Sequence, residues 1–265
     1  MRTMDIANAM NSIGQYSSLG NRYWVLPFGN LIKGDDIIRL CSGCVADGVL
    51  VGTQTHENFF LRIFNADGSE AKISGNGVRI FAAHLAKLGL ITMGETVPII
   101  ALSGSIPCIV HGVAHGIYDV SANLKISSCE ASHIWQLDAQ TPLTGYRVDL
   151  GNSHFIIASD SPRGQRLLLE HTAKNSNWTP VSINVHMLRV ADTHNIHIRS
   201  WERGVGPTTS CGSGACACAF IARNFFDCQL AITVHMLGGD LEAKISGSSV
   251  TIRGPIKNAN LKSNS

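Results

Sequence analysis

The stretch Ser74-Gly75-Asn76-Gly77 recurs in altered form as Cys211-Gly212-Ser213-Gly214, and each copy runs into an apolar segment that contains alanine. The apolar spacing after the copies predicts one helix over 77–88 and another over 213–225. The first turn of a helix has N–H groups without helical partners and a partial positive charge, so it attracts anions and lowers the pKa of a thiol. We therefore expect a carboxylate to bind at these turns and the pKa of Cys211 to be depressed.

The alternative for each copy alone is a helix N-cap with no further role. Two copies with one pattern weaken that alternative, and so does the thiol, because cysteine is a poor N-cap and forms a good thiolate at a helix start. A phosphate-binding loop would need a lysine after the glycines, and a dinucleotide-binding loop would need a third glycine. Neither copy has them.

Both halves of the chain show the same succession of strands, a glycine turn, an apolar helix and more strands. This indicates an internal duplication of architecture. A further helix is predicted over 163–173, and the tail after Gly254-Pro255 is expected to fray. The predicted strands are 23–26, 59–64, 97–102, 106–110, 117–124, 146–150, 154–158, 182–190, 194–201, 230–236, 241–245 and 249–253.

Composition excludes several classes of protein. The chain has 265 residues, a formal net charge of +2 and no block of like charges, so no nucleic-acid partner is expected. It has no apolar run long enough to span a bilayer and no signal-peptide core, so we expect a cytoplasmic protein with no membrane partner. Its eight cysteines indicate free thiols. Cys41-Ser42-Gly43-Cys44 lacks a second pair of matching spacing, so we expect no metal there, only thiols that fill space in a loop and its flanking strand.

Two long segments resemble the two signatures of the diaminopimelate epimerase family. They run from Asn65 to Arg79 and from Trp201 to Ala217, and each contains one of the glycine turns. The resemblance covers nearly the whole chain, and the two long signatures are highly specific. Shorter segments resemble further landmarks in the family's order: Gly20-Asn21, Ala46-Asp47-Gly48, Gly151-Asn152-Ser153-His154, Ile183-Asn184-Val185 and Val250 to Pro255.

The resemblance implies an α/β (α+β) fold of two pseudo-symmetric domains, each a mostly antiparallel sheet wrapped around a central helix. The N-terminal domain is expected over 1–115 plus about 250–265 and carries Ser74, whereas the C-terminal domain, 116–249, carries Cys211. The resemblance also implies a homodimer and an active site in the cleft between the domains.

The implied reaction is inversion at the α-carbon of an amino acid, without pyridoxal phosphate or another cofactor. One group removes the α-proton from one face and a second group returns a proton to the other. The leading substrate is LL-diaminopimelate, converted to the meso form in lysine biosynthesis. Developing negative charge on the carboxylate would be stabilised by the amides of both helix starts.

The resemblance assigns the two proton-transfer positions to Cys211 and Ser74. It places His154 beside the thiol, and Arg203 is expected to pair with a distal carboxylate. Backbone donors to the α-carboxylate are expected from Gly75, Asn76, Gly212 and Ser213. Side chains that bind the substrate are expected at Asn21, Asn65, Asn152, His154, Asn184, Glu202 and Arg203.

Ser74 departs from the family, which has a cysteine there, and a hydroxyl is a weaker base than a thiol. Two explanations are open: an engineered Cys-to-Ser replacement, which we favour, or a natural divergent member. Arg22, Ser153 and the Cys41–Cys44 segment also depart from the family pattern. Two alternative functions are therefore open: racemisation of another amino acid, for example histidine, and ligand binding with impaired or lost catalysis.

Overall fold

The computed structural model describes residues 13–29, 32–44, 46–56, 58–138, 141–158, 183–203 and 205–259. These residues form three helices: α1 (Gly34–Cys44), α2 (Gly75–Lys87) and α3 (Gly212–Phe225). No helix within them is both long and apolar enough to cross a bilayer. They also form seventeen strands: β1 (Gly14–Ser18), β2 (Asn21–Leu26), β3 (Gly48–Thr55), β4 (Asn58–Asn65), β5 (Glu70–Ala71), β6 (Thr96–Ala101), β7 (Gly104–Ala114), β8 (Ile117–Lys125), β9 (Ser128–Asp138), β10 (Thr141–Asp149), β11 (Ser153–Ala158), β12 (Asn184–Val190), β13 (Asn195–Glu202), β14 (Gly206–Thr208), β15 (Ala231–Met236), β16 (Gly239–Ser246) and β17 (Ser249–Asn258).

The chain divides into two compact units. Unit 1 comprises Met1–Asn123 and Arg253–Ser265, and unit 2 comprises Leu124–Ile252. The two breaks fall within strands β8 and β17, whereas the sequence pattern had placed them at 115/116 and near 249/250.

The strands of the two units pair in the same sequence of parallel and antiparallel pairs. In unit 1, β1–β2, β3–β4 and β6–β7 pair antiparallel, while β2–β3 and β4–β6 pair parallel. In unit 2, β10–β11, β12–β13 and β15–β16 pair antiparallel, while β11–β12 and β13–β15 pair parallel. Along the chain, α2 lies between β4 and β6 just as α3 lies between β13 and β15. The duplication that the sequence predicts is confirmed in the topology.

A central helix forms the core of each unit. Every residue of α2 from Gly75 to Leu85 is buried, and the helix contacts β1, β2, β3, β4, β6 and β7. In α3 every residue from Gly212 to Ala219 is buried, and the helix contacts β10, β11, β12, β13, β15 and β16. A helix that is buried on all sides lies in the interior of its unit. The predicted α+β fold, with a sheet wrapped around one helix in each unit, is confirmed.

Two expectations from the sequence are wrong, and a third concerns residues outside the described ranges. The thiols of the Cys41-Ser42-Gly43-Cys44 stretch are not in a loop: the stretch is the last turn of α1, where Cys41 is buried against the strands. Glycine has low helix propensity, which hid this helix. The tail after Gly254-Pro255 does not fray at once, because β17 continues to Asn258 and pairs there with β1, a strand that the pattern missed. The helix predicted over 163–173 lies outside the described residues.

Gly48 and Gly43 offer a matched test of this packing. A Cβ at Gly48 would collide with the Phe64 carbonyl and lie 2.6 Å from the Tyr23 ring, whereas a Cβ at Gly43 would meet nothing within 4 Å. We expect Gly48→Ala to lower the free energy of unfolding by about 1–3 kcal/mol. Gly43→Ala, on an exposed helical position, should leave it unchanged or raise it by up to about 1 kcal/mol. Urea denaturation of both variants measures this, and equal effects would contradict the packing described.

Candidate active site

Ser74 caps the first turn of α2. Its backbone is extended, with φ of −141°, and its Oγ accepts a hydrogen bond of 3.0 Å from the backbone N–H of Gly77. This is the geometry of a helix N-cap. The side chain is half-buried, whereas Gly75 and Asn76 behind it are buried. The first half of the predicted site is therefore a hydroxyl held at the positive end of a buried helix.

A polar network lies beneath this helix start. Asn76 accepts hydrogen bonds at Oδ1 from Ser18 Oγ (3.2 Å) and from Nη2 of Arg79 (2.7 Å), and it donates from Nδ2 to Asn21 Oδ1 (3.1 Å). Arg79 also donates to Ser18 Oγ at 2.7 Å and, through Nε, to the carbonyl of Gly75 at 3.3 Å. Asn76 and Arg79 are 1% and 0% exposed. Their side chains therefore fix the turn from within, and sequence reasoning missed Arg79 although it ends the first signature.

Tyr23 is a second residue that the sequence did not single out. Its hydroxyl lies 3.2 Å from Ser74 Oγ, and either oxygen can donate. Asn21 and Tyr23 are alternate residues of β2, so their side chains share a face of the strand. Tyr23 is 5% exposed. The signal available in the sequence was this alternation from Asn21, but nothing in it indicated a contact with Ser74.

Arg22 lies on the other face of β2 and is exposed. Its backbone N–H donates to Oδ2 of Asp47 at 2.6 Å, and its carbonyl accepts from the Asp47 N–H at 2.8 Å. Burial raises the pKa of Asp47, against the hydrogen bonds from Arg22 and from the Asn21 side chain, which lower it. Arg22, which departs from the family pattern, therefore does not point to the face that carries Tyr23 and Asn21.

Cys211 caps α3 in the same way. Its φ is −134°, and its Sγ accepts from the N–H of Gly214 at 3.3 Å and lies 3.6 Å from Ser213 Oγ. The thiol is 2% exposed. The repeated motif thus forms two N-caps of the same design, with oxygen in one unit and sulfur in the other.

The expected depression of the pKa of Cys211 is wrong. Burial raises it well above its ordinary value, and the carboxylate of Glu202 raises it further through its charge and a hydrogen bond. The hydrogen bonds from Ser213 and Gly214 oppose these effects but do not outweigh them. A helix start lowers the pKa of a thiol only where burial and neighbouring anions are weaker. Cys211 therefore favours the thiol form, although its predicted place at the helix start is as expected.

Two stacked histidines lie behind the cap of α3. His154 Nδ1 and His186 Nε2 are 2.8 Å apart, and His186 Nδ1 is 2.9 Å from Ser200 Oγ. Both rings are fully buried, and a Cβ at Gly214 would collide with the His186 ring. Nε2 of His154 is buried and has no hydrogen-bond partner among the described residues. Burial lowers the pKa of His154 to about 4 and the pKa of His186 well below its ordinary value, so both rings are neutral near pH 7.

The remaining predicted residues of unit 2 lie at the ends of its strands. Asn184 accepts at Oδ1 from the Arg203 N–H (2.9 Å) and donates to the Ser153 carbonyl (3.5 Å), so it ties β11 to the end of β13. Glu202 accepts from Thr208 Oγ1 at 2.8 Å. The Gly151-Asn152-Ser153 loop is held by Asp149, which accepts from the Gly151 N–H at 2.7 Å and from Ser153 Oγ at 2.8 Å.

In unit 1, Asn65 is engaged in its own turn. Its Nδ2 donates to Ser69 Oγ at 2.9 Å, and its carbonyl accepts from the Gly68 N–H at 3.0 Å. Its predicted role in substrate binding stays a prediction. Within the described ranges, no three histidine, cysteine, aspartate or glutamate side chains lie close enough together to hold a metal ion.

The sequence is similar to diaminopimelate epimerases over most of its length. A sequence profile of the family described as diaminopimelate epimerase matches residues 35–123 and 146–255. The diaminopimelate epimerase of Rhodococcus opacus (strain B4) is 32% identical over 235 residues, covering 84% of this chain and 80% of that protein. That of Prochlorococcus marinus (strain NATL2A) is 29% identical over 277 residues, covering 92% and 95%.

Solved structures of other epimerases share the fold. A predicted epimerase from Pseudomonas aeruginosa superimposes with a TM-score of 0.67 at 14% identity, over 93% of this chain and 96% of that one. A hydroxyproline epimerase from Agrobacterium vitis, with bound trans-4-hydroxy-L-proline, gives 0.66 at 13% identity, over 94% and 90%. At these identities the likeness establishes the fold alone.

The carboxylate beside Cys211 gives a testable result. Glu202→Gln removes its negative charge, so we expect the pKa of Cys211 to fall. The rate of alkylation at pH 8 should rise about tenfold for each unit of that fall, as measured on the Cys211 peptide by mass spectrometry. Asp192→Asn is the control, because Asp192 raises the pKa of Cys228 and is not among the groups that act on Cys211. An unchanged Cys211 rate in Glu202→Gln would contradict this account.

The buried histidines predict a dependence of stability on pH. The unfolded chain binds a proton at each histidine near pH 6.5, whereas folded His154 does so only near pH 4. Their contribution is therefore fully present above about pH 6.5 and is lost as the pH falls to about 4. We expect His154→Gln to flatten the fall in the free energy of unfolding over this range, measured by urea denaturation. The exposed His115→Asn should leave the slope unchanged, and an equal slope in both variants would refute the prediction.

Proposed function

Because the chain belongs to the diaminopimelate epimerase family, we propose that it interconverts LL- and meso-diaminopimelate by inverting one α-carbon. As a member of the family it is an isomerase, of the class of amino-acid epimerases and racemases that work without a cofactor. The observation that carries the proposal is the pair of N-caps: Ser74 and Cys211 each hold a proton-bearing atom over a helix start.

The α-carboxylate is the group that these helix starts would bind. As the α-proton leaves, negative charge spreads from the α-carbon onto the carboxylate, and fixed amides of the first helical turns stabilise that charge. Gly75 and Asn76 supply such amides in one unit, and Gly212 and Ser213 supply them in the other. Arg79, fully buried beneath the first turn, adds a positive charge to that half of the site.

Glu202 links substrate binding to activation of the thiol. After burial, the Glu202 carboxylate is the largest contribution to the raised pKa of Cys211. An amino-acid substrate brings an ammonium group, and pairing of that group with Glu202 offsets the carboxylate's charge. The pKa of Cys211 then falls when substrate binds, which lowers the free energy needed to form the thiolate and release its proton to water, at the place where the α-proton is to be removed.

The distal end of the substrate distinguishes diaminopimelate from simpler amino acids. Arg203 is exposed, and its guanidinium forms no ion pair or hydrogen bond with any other described residue. Its backbone is fixed by Asn184, so the side chain starts from a defined position. A guanidinium pairs with a carboxylate through two hydrogen bonds, which suits the second carboxylate of diaminopimelate.

Racemisation of another amino acid, such as histidine, is the second candidate. Ser74 favours this candidate, because the family has a cysteine at this position. A change of the acid-base group fits a changed substrate or reaction better than it fits the family's usual one. A protein that binds without catalysis is the third, and it predicts calorimetric binding with no loss of α-protons.

Heavy water separates these candidates. We expect wild-type protein, and more strongly Ser74→Cys, to exchange α-protons of LL- and meso-diaminopimelate for deuterium, as seen by NMR. We expect Arg203→Gln to raise the KM for diaminopimelate by about 10-fold or more, the value of a charge-assisted pair, and to change exchange of a monocarboxylic amino acid less than twofold. Arg189→Gln, an exposed arginine of β12, is the matched control and should change neither. If only a monocarboxylic amino acid exchanges, diaminopimelate is the wrong substrate.

A further inference from the structure

Tyr23 is held against Ser74 by the packing of β2. In the parallel pair β2–β3, Tyr23 stands opposite Gly48, and a Cβ at Gly48 would lie 2.6 Å from the Tyr23 ring. Only glycine leaves room for the ring there. The ring is 5% exposed, and its hydroxyl lies 3.2 Å from Ser74 Oγ. The phenol is thus directed at the proton-bearing atom of the first half-site by the fold of unit 1 itself.

The hydrogen bonds around Ser74 decide where its proton points. A hydroxyl has one donor and two acceptor positions. The N–H of Gly77 fills one acceptor position of Ser74 Oγ at 3.0 Å. When Tyr23 donates, it fills the second, and the proton of Ser74 is directed away from both partners. Ser74 is half-buried, so that proton is accessible, whereas the phenol behind it is not.

Chemistry favours the pair over the serine alone. An isolated serine hydroxyl is a poor acid and a poor base, and a nucleophilic or proton-transferring serine needs a partner. A phenol with an ordinary pKa of about 10 gives up a proton far more readily than an alcohol. The Ser74 hydroxyl is accessible and the Tyr23 hydroxyl is the more acidic of the two. Their oxygens lie 3.2 Å apart.

We propose that Tyr23 is the proton donor of the first half-site and acts through Ser74, so that this chain pairs one thiol with a tyrosine–serine relay. The proposal rests on the proposed epimerase function. In the forward direction the Cys211 thiolate takes the α-proton: the C–H bond breaks and an S–H bond forms. Ser74 gives its proton to the opposite face of the α-carbon, and Tyr23 gives its own to Ser74 Oγ.

The protons balance over this step. The site starts as Cys211 thiolate with Tyr23 phenol and ends as Cys211 thiol with Tyr23 phenolate, so one proton has moved from Tyr23 to carbon and one from carbon to sulfur. After the product leaves, the Cys211 thiol gives its proton to water and water returns a proton to Tyr23 through the accessible Ser74 hydroxyl; the reverse reaction restores the starting state directly. No oxidant, metal or cofactor enters. The relay also makes Ser74 a working residue of a natural enzyme rather than an engineered replacement.

The test separates inversion from simple exchange. Tyr23→Phe keeps the ring and removes only the hydroxyl, so we expect inversion of diaminopimelate, followed by chiral chromatography, to fall by about 100-fold or more, the usual worth of a positioned acid-base group. Deuterium exchange with retention, which needs only Cys211, should fall less than threefold. The double variant Tyr23→Phe/Ser74→Cys should recover inversion, because a thiol needs no phenol. Tyr118→Phe, another buried tyrosine of unit 1, should behave as wild type.

Each other outcome overturns the proposal. If Tyr23→Phe inverts within threefold of wild type, Tyr23 does not supply the proton. If inversion is lost and Ser74→Cys does not restore it, the hydroxyl supports the fold and not the proton transfer. If Ser74→Cys inverts substrate and wild type does not, the relay is wrong while the epimerase function stands. If neither exchanges any α-proton, the epimerase function fails and the relay fails with it.

Discussion

One hydrogen bond, made twice, sets the geometry on which the rest depends. The N–H of Gly77 binds Ser74 Oγ, and the N–H of Gly214 binds Cys211 Sγ. Each cap forms because the residue before the helix is extended and its side chain folds back over the first turn. The capping atom, Ser74 Oγ or Cys211 Sγ, is also the atom for which we propose proton transfer. That atom is therefore fixed at the positive end of a buried helix by the same contact that begins the helix.

Each unit places a charge of different sign near its own cap. Beneath the first cap, the buried Arg79 brings a positive charge into a network with Asn76. Beside the second cap, burial and then the negative charge of Glu202 raise the pKa of the Cys211 thiol. Behind it His154 and His186 stay neutral, because burial makes their charged forms unfavourable. The duplicated backbone thus carries a buried cation at the cap of unit 1 and a carboxylate beside the cap of unit 2.

The sequence predicted the elements whose pattern is local. Each of these elements depends on a short stretch of sequence: the two glycine turns, the apolar helices that follow them and the alternating strands. The α+β fold with its duplication follows from these elements. The misses depend on distant partners. Strand β1 and the end of β17 pair with each other, and neither has a clear strand pattern by itself. Helix α1 contains Gly43, whose low helix propensity argues against a helix there. The pKa of Cys211 depends on burial and on Glu202, an effect on the thiol that the sequence did not indicate.

The mismatch between Ser74 and Cys211 is a matter of chemistry rather than of folding. Serine is a strong N-cap residue and accepts the N–H of the third helical residue through oxygen, so Ser74 satisfies the fold at least as well as a thiol would. If capping were the only demand, serine would suit both positions. Cys211 is a weaker N-cap than serine but has a thiol, and a thiol is suited to act as a base. Ser74 is the better cap but the weaker acid and base, so the proton transfer that we propose for it needs a partner, and Tyr23 is the residue that the fold of unit 1 brings within 3.2 Å of its Oγ.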